Sequence, residues 1–207
     1  MKLRDFVLND LKGVIIIAGK KGSGKSLSAT MIAYTYWKYM HQKGYKVYAN
    51  YQLNFPFIPV TKLSTIDNAQ KGLVIIDEAY QLVDSRRATS SKNVLFSVLL
   101  GKARKHGIRI LFIAQYVHTL DSRIRQDADW IIVTSLKNVD VERKIPLSLE
   151  WDVYYRDDLG DIVEFEKFTV PVPPKALKLY DSYADIFPIE DDISEQKRRK
   201  STGKQKT

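Results

Sequence analysis

The chain has 207 residues, 44% hydrophobic and 28% charged, with a formal net charge of +9. That suits one well-filled core with a small appendage, in an ordinary soluble composition. The absence of cysteine excludes disulfides and thiolate metal centres. The excess of lysine and arginine points to a polyanionic partner, nucleic acid first.

The opening MKLRDFVLND lacks the apolar stretch and small-residue cleavage site of a signal peptide. The strongest apolar run, VIIIAG at 14–19, is far short of the roughly 20 residues that span a bilayer. A soluble protein without a transmembrane segment is expected. GVIIIAG (13–19) reads as a buried strand, followed by a helix from Lys25 to about Gln42 with Gly44 as its C-cap. KVYANYQ (46–52) reads as a second strand, and NFPFIPVTKL (54–63) as irregular. GLVIIDEA (72–79) is a third strand, uniformly apolar as strands covered on both faces are. Ser90 or Ser91 caps a helix through VLFSVLLGKARKH that Gly107 ends. IRILFIAQ (108–115) and DWIIVTSL (129–136) complete five strands. This alternation predicts an α/β fold, a parallel sheet flanked by helices.

After residue 140 the pattern changes. LEWDVYYR and DIVEFEKFTV flank Asp157-Asp158-Leu159-Gly160, a turn signal that predicts a C-terminal β-hairpin. A Pro-led return segment follows at 171–187. From Asp191 the chain has almost no large apolar residue and is expected to be a disordered basic tail. The expected organisation is a core over 1–140, a hairpin and return segment packed on it over 141–190, and the tail over 191–207.

GKKGSGKS, residues 19–26, matches G-x-x-x-x-G-K-[ST] between a strand and a helix. Gly19, Lys20, Lys21, Gly22, Ser23, Gly24, Lys25 and Ser26 would form a phosphate cradle. The glycines let backbone N–H groups turn inward, and the helix start adds its positive end. Lys25 places an ammonium on the β- and γ-phosphates of ATP, and Ser26 offers a hydroxyl to Mg²⁺. Asp77, closing the LVII run, fits the carboxylate that holds Mg²⁺, usually through water. Glu78 projects differently from the chain and fits the group that polarises the attacking water. Gln115, at the carboxyl end of its strand, is placed to sense the γ-phosphate. The three histidines, His41, His106 and His118, have no metal-ligand spacing.

Together these motifs resemble the additional-strand P-loop ATPases, most closely the FtsK–HerA superfamily of DNA-pumping motors. ARKHGIRILFIAQ (103–115) carries much of the likeness: a basic helix end, a glycine, a buried strand and a terminal glutamine. The short chain and the YDSYADIF stretch look like the genome-packaging ATPases of tailless icosahedral viruses. The N-terminal domain of the filamentous-phage Zot-like assembly proteins is also similar. The resemblance implies a RecA-like core whose glutamine strand lies between the P-loop strand and the DE strand. It further implies a pentameric or hexameric ring with ATP at each subunit interface, and an arginine reaching in from the neighbour. Arg104 is the first choice for that finger, with Arg123 and Arg125 as alternatives. Arg86, Arg87 and Lys92 are candidate contacts to DNA phosphates, and the tail basics Lys197, Arg198, Arg199 and Lys200 add non-specific affinity or dock a partner.

The expectation is therefore a Mg²⁺-dependent ATPase that moves double-stranded DNA into a capsid. Its partners would be DNA, further copies of itself and a capsid or virion membrane protein, in the host cytoplasm or the virion. The alternatives are a Zot-like assembly ATPase that extrudes single strands, a nucleoside or nucleotide kinase, and a nucleotide-gated interaction module.

Overall fold

The computed structural model describes residues 2–79, 100–101, 107–120, 122–181 and 185–190. Its centre is an eight-stranded sheet in the order β3-β2-β4-β5-β1-β6-β7-β8. The strands are β1 (Val14–Ala18), β2 (Lys46–Ala49), β3 (Ile58–Pro59), β4 (Gly72–Ile76), β5 (Ile108–Ala114), β6 (Trp130–Asp140), β7 (Ile145–Arg156) and β8 (Ile162–Pro171). The first six run parallel, and β7 and β8 are added antiparallel. β5 pairs with β1 on one side and β4 on the other, so the glutamine strand separates the P-loop strand from the DE strand.

The uniform apolarity of the central strands follows from their having two cores to fill. Ile15 and Ile17 of β1, Leu73 and Ile75 of β4, and Leu111 and Ile113 of β5 belong to one cluster. Their alternates Val14, Ile16, Val74, Ile76, Ile110 and Phe112 belong to the other. Successive side chains in a strand point to opposite faces, so a strand covered on both sides carries no polar alternation.

The first cluster is covered by helix α1 (Lys25–Met40), whose Leu27 to Ala33 stretch is entirely buried. α1 ends two residues earlier than expected. A 3₁₀ turn, His41–Lys43, follows it, and Gly44 takes the left-handed conformation at φ 80°. On the second cluster lie Leu63 and Ile66 of a short helix, α2 (Leu63–Asp67), and Ile124 of α3 (Ser122–Asp127). The stretch expected to be irregular thus holds β3 and leads into α2, both too short for a periodic signal. A helical turn at Leu3–Asp5 and a π-helical turn at Phe6–Asp10 were likewise not legible in the sequence. The helix expected over 94–106 lies mostly outside the described residues, as does the 191–207 tail.

The predicted hairpin exists as β7–β8, with its turn at Asp157–Gly160. It is no separate layer: β6 runs four residues past its expected end and pairs with β7, so one sheet is continuous from β3 to β8. The expected boundary at 140 falls at the β6–β7 turn.

Candidate nucleotide site

The carboxyl ends of β1, β4 and β5 open on a cleft of about 790 Å³, lined among others by Lys21, Gly22, Lys25, Ser26, Asp77, Glu78 and Gln115. Open parallel sheets bind ligands at this end. Residues from three separate stretches of sequence therefore meet in one place.

The P-loop leaves β1 and enters α1 with Gly24 as N-cap at φ 88°. A Cβ at Gly24 would stand 2.7 Å from Leu149 Cδ2, so β7 packs directly on the loop. At Gly19 a Cβ would stand 2.4 Å from Ser23 Oγ and 2.6 Å from Thr134 O. The loop is braced from below by a buried chain of hydrogen bonds. Trp151 Nε1 donates to Ser28 Oγ at 2.9 Å, Ser28 and Thr134 hydroxyls meet at 3.2 Å, and Thr134 Oγ1 donates to Ser23 O at 3.3 Å. Lys25 Nζ donates to Lys20 O at 2.9 Å, which leaves its other N–H donors for a ligand. Burial lowers the Lys25 pKa, with Asp77 opposing the shift. Ser23 Oγ is buried in the loop without a hydrogen-bond partner.

Ser26 Oγ donates to Asp77 Oδ2 at 2.7 Å, and Glu78 N donates to Asp77 Oδ1 at 2.8 Å. Both carboxylate oxygens of Asp77 are thus oriented. Burial pushes its carboxyl above the usual range, more than the hydrogen bond from Ser26 lowers it. A cation at this point would relieve that cost, and hydroxyl and carboxylate oxygens are the hard ligands that Mg²⁺ takes. Ser26 and Asp77 therefore fit the ion. Among the described residues no cluster of three or more His, Asp or Glu forms a metal site. A Mg²⁺ shared with substrate phosphates needs none, since it keeps several waters and one or two carboxylates. Glu78 follows with φ 51°, a left-handed conformation costing about 1–2 kcal/mol in a residue with a Cβ.

Sequence reading missed the far wall of the cleft. Asn54 N donates to Leu179 O at 2.7 Å, Phe187 N to Asn50 O at 2.6 Å and Glu190 N to Thr61 O at 2.9 Å. These bonds lay the return segment across the ends of β2 and β3, and Tyr180, Asp181 and Asp185 line the cleft. Tyr180 stacks edge-on against buried Tyr51 at 6.3 Å, and its hydroxyl is pushed up to about 12, chiefly by burial and then by the charge of Asp77. The pairing is long-range, and no local motif announces it.

The zonular occludens toxin (Zot) family model matches residues 58–185, more than half of the chain. The chain belongs to the Zot family. The match includes Asp77, Glu78 and Gln115; the P-loop precedes it and stands on its own motif. The N-terminal domain of zonular occludens toxin from Neisseria meningitidis is 20% identical with a TM-score of 0.56, over 83% of this chain and 100% of that one. The flagellar accessory protein FlaH from Methanocaldococcus jannaschii is 16% identical with a TM-score of 0.52, over 83% and 91%. The genome packaging NTPase B204 from Sulfolobus turreted icosahedral virus 2, in complex with AMP, is 15% identical with a TM-score of 0.48, over 79% and 100%. No curated protein matches in sequence. At these identities the first two likenesses establish the fold, a RecA-like P-loop NTPase sheet.

Arg123 and Arg125 lie on α3 and do not line the cleft of their own chain. Arg125 Nε donates to Leu120 O at 3.2 Å. Arg104, Arg86, Arg87, Lys92 and the tail basics lie outside the described residues. Among the described residues no helix is long and apolar enough to cross a membrane.

Proposed function

We propose that this Zot-family chain is a Mg²⁺-dependent ATPase that drives DNA movement during virus assembly. The observation that carries it is the convergence of Lys25, Ser26, Asp77, Glu78 and Gln115 on one cleft from three strand ends. Lys25 and the loop amides bind the phosphates of ATP. Ser26 and Asp77 would hold Mg²⁺, which would supply the charge that neutralises the phosphates. Glu78 accepts a proton from the attacking water, and the Gln115 amide orients that water against the γ-phosphate. A kinase has no use for a water-directed glutamate at this point.

Membership of the Zot family puts the assembly ATPase that extrudes single-stranded DNA ahead of a motor packaging double strands into a capsid. In both cases the chain works as a pentameric or hexameric ring, in the host cytoplasm or on the virion, beside a capsid or virion membrane partner. The excess of lysine and arginine in the chain would grip backbone phosphates without reading sequence, so binding weakens with salt. The deciding experiment is ATP hydrolysis with single- or double-stranded DNA, at low and moderate salt. Greater stimulation by single strands supports extrusion, and greater stimulation by double strands supports packaging. Indifference to both removes the motor.

Lys25→Ala should abolish nucleotide binding, measured by calorimetry. Mixing Arg104→Ala with Glu78→Gln subunits should restore part of the lost hydrolysis, because some interfaces then pair an intact site with an intact finger. No recovery at any ratio counts against Arg104.

A further inference from the structure

Asn50 lies just beyond the end of β2 and is 3% exposed. A buried amide needs partners, and this one has them on a single neighbouring residue. Its Nδ2 donates to Asp77 O at 3.0 Å, and its Oδ1 accepts from Asp77 N at 2.7 Å. Its own N–H donates to Ile75 O at 3.3 Å, and its carbonyl accepts from Phe187 N at 2.6 Å.

The register between β2 and β4 ends at Ala49 and Ile75. Beyond that point the Asn50 side chain takes the place of the ladder and closes both main-chain groups of Asp77. The chain then turns into the left-handed conformation of Glu78. Such a conformation persists only where its surroundings over-determine it. The grip on Asp77 supplies that constraint one residue upstream. Aspartate here would lose the donor to Asp77 O, and serine is too short to bridge both groups.

We infer that Asn50 is the positioning residue of the carboxylate pair. It holds Asp77 against Ser26 and sets the turn that brings Glu78 to the cleft. Through Phe187 it ties that geometry to the return segment walling the same cleft. Its consequence for turnover rests on the ATPase reading; its effect on geometry does not.

The test uses the full chain with Asn50→Ala and Asn50→Ser, and three readouts. Binding of a non-hydrolysable ATP analogue in EDTA reports the P-loop. Titration of Mn²⁺ into the analogue complex, followed by paramagnetic resonance, reports the Asp77 site. Hydrogen exchange of the peptide covering Asp77 and Glu78 reports the turn. Outer partners of metal ligands typically account for 10–100-fold in metal affinity. The expected result is metal-free analogue binding within about twofold of the parent, Mn²⁺ affinity about tenfold weaker and faster exchange at 77–78 in both variants. Unchanged Mn²⁺ affinity overturns the inference, and so does an equal loss of analogue binding. Hydrolysis by the unmutated chain is measured separately: its absence removes the ATPase reading, while exchange and Mn²⁺ affinity still decide the role of Asn50.

Discussion

Glu78 combines a costly backbone with a place in the cleft. A residue that only began the next loop would gain nothing from φ 51°. Glu78→Gln keeps the shape and the backbone demand but removes the base. ATP binding should persist while hydrolysis falls by at least about 10²-fold, the lower range for a lost general base; single-turnover phosphate release checks it. Gly19 makes a different demand, for space. Its Cβ would collide with Thr134 O, a backbone atom that cannot swing aside. Gly19→Ala should therefore distort the loop and weaken nucleotide binding, with thermal unfolding showing how much of the loss is global.

Helix α1 holds the P-loop end of the molecule to the opposite end of the sheet. Its buried Thr30 hydroxyl meets the Tyr51 hydroxyl at 3.0 Å. Further along the helix, the Tyr36 ring lies under the Arg109 guanidinium, 5.0 Å from the ring centroid. Arg109 in turn donates to Val7 O and, at 3.0 Å, to Leu8 O, fastening the N-terminal π-helical turn to β5. Hydrogen bonds from charged donors contribute about 1.5–3 kcal/mol each, about 3–6 kcal/mol for the two. The cost of burying the guanidinium offsets part of this, so Arg109→Met should lower stability by about 2–3 kcal/mol in urea unfolding. Burial pushes the Tyr36 hydroxyl up to about 12 from the usual 10.0. Between those values the unfolded chain gives up a proton that the folded chain keeps, so stability falls as pH rises through this window. Tyr36→Phe should flatten that fall between pH 10 and 12, read from urea midpoints across the range.

At the scale of the molecule, the sheet joins its two halves through Trp151. This fully buried residue of β7 sends its indole N–H to Ser28 of α1, and the chain of hydroxyls continues to the P-loop at Ser23. The antiparallel strands thus form part of the nucleotide site's foundation. Trp151→Phe keeps an aromatic in the core but removes the indole donor to the buried Ser28 Oγ. A loss of about 1–3 kcal/mol is expected from the unsatisfied hydrogen bond and smaller ring, measured by denaturant unfolding. The outer face of the same strands is charged: Lys167 lies 2.9 Å from Asp152 and 3.7 Å from Glu150, and Lys137 lies 3.1 Å from Glu150. Those pairs, exposed on the lysine side and half-buried on the carboxylate side, contribute little to stability but keep that face solvated.

The sequence alone determined the local pieces. The P-loop spacing, the LVII run into Asp77-Glu78, the ILFIAQ strand and the Asp157–Gly160 turn each carry their signal within a few residues. They are legible because glycine conformations, helix starts and double-sided burial constrain short stretches. Only the tertiary structure decided how the pieces meet. Asn50 looks like any polar strand end until β4 runs beside it, and Asp181 and Asp185 lie more than a hundred residues from the P-loop whose cleft they share. The hairpin was readable as a hairpin, but not as the strands that buttress the phosphate loop. Those relations depend on pairing between distant strands, which side-chain periodicity does not encode: period-two patterning names the buried faces of a strand and is silent on its neighbour.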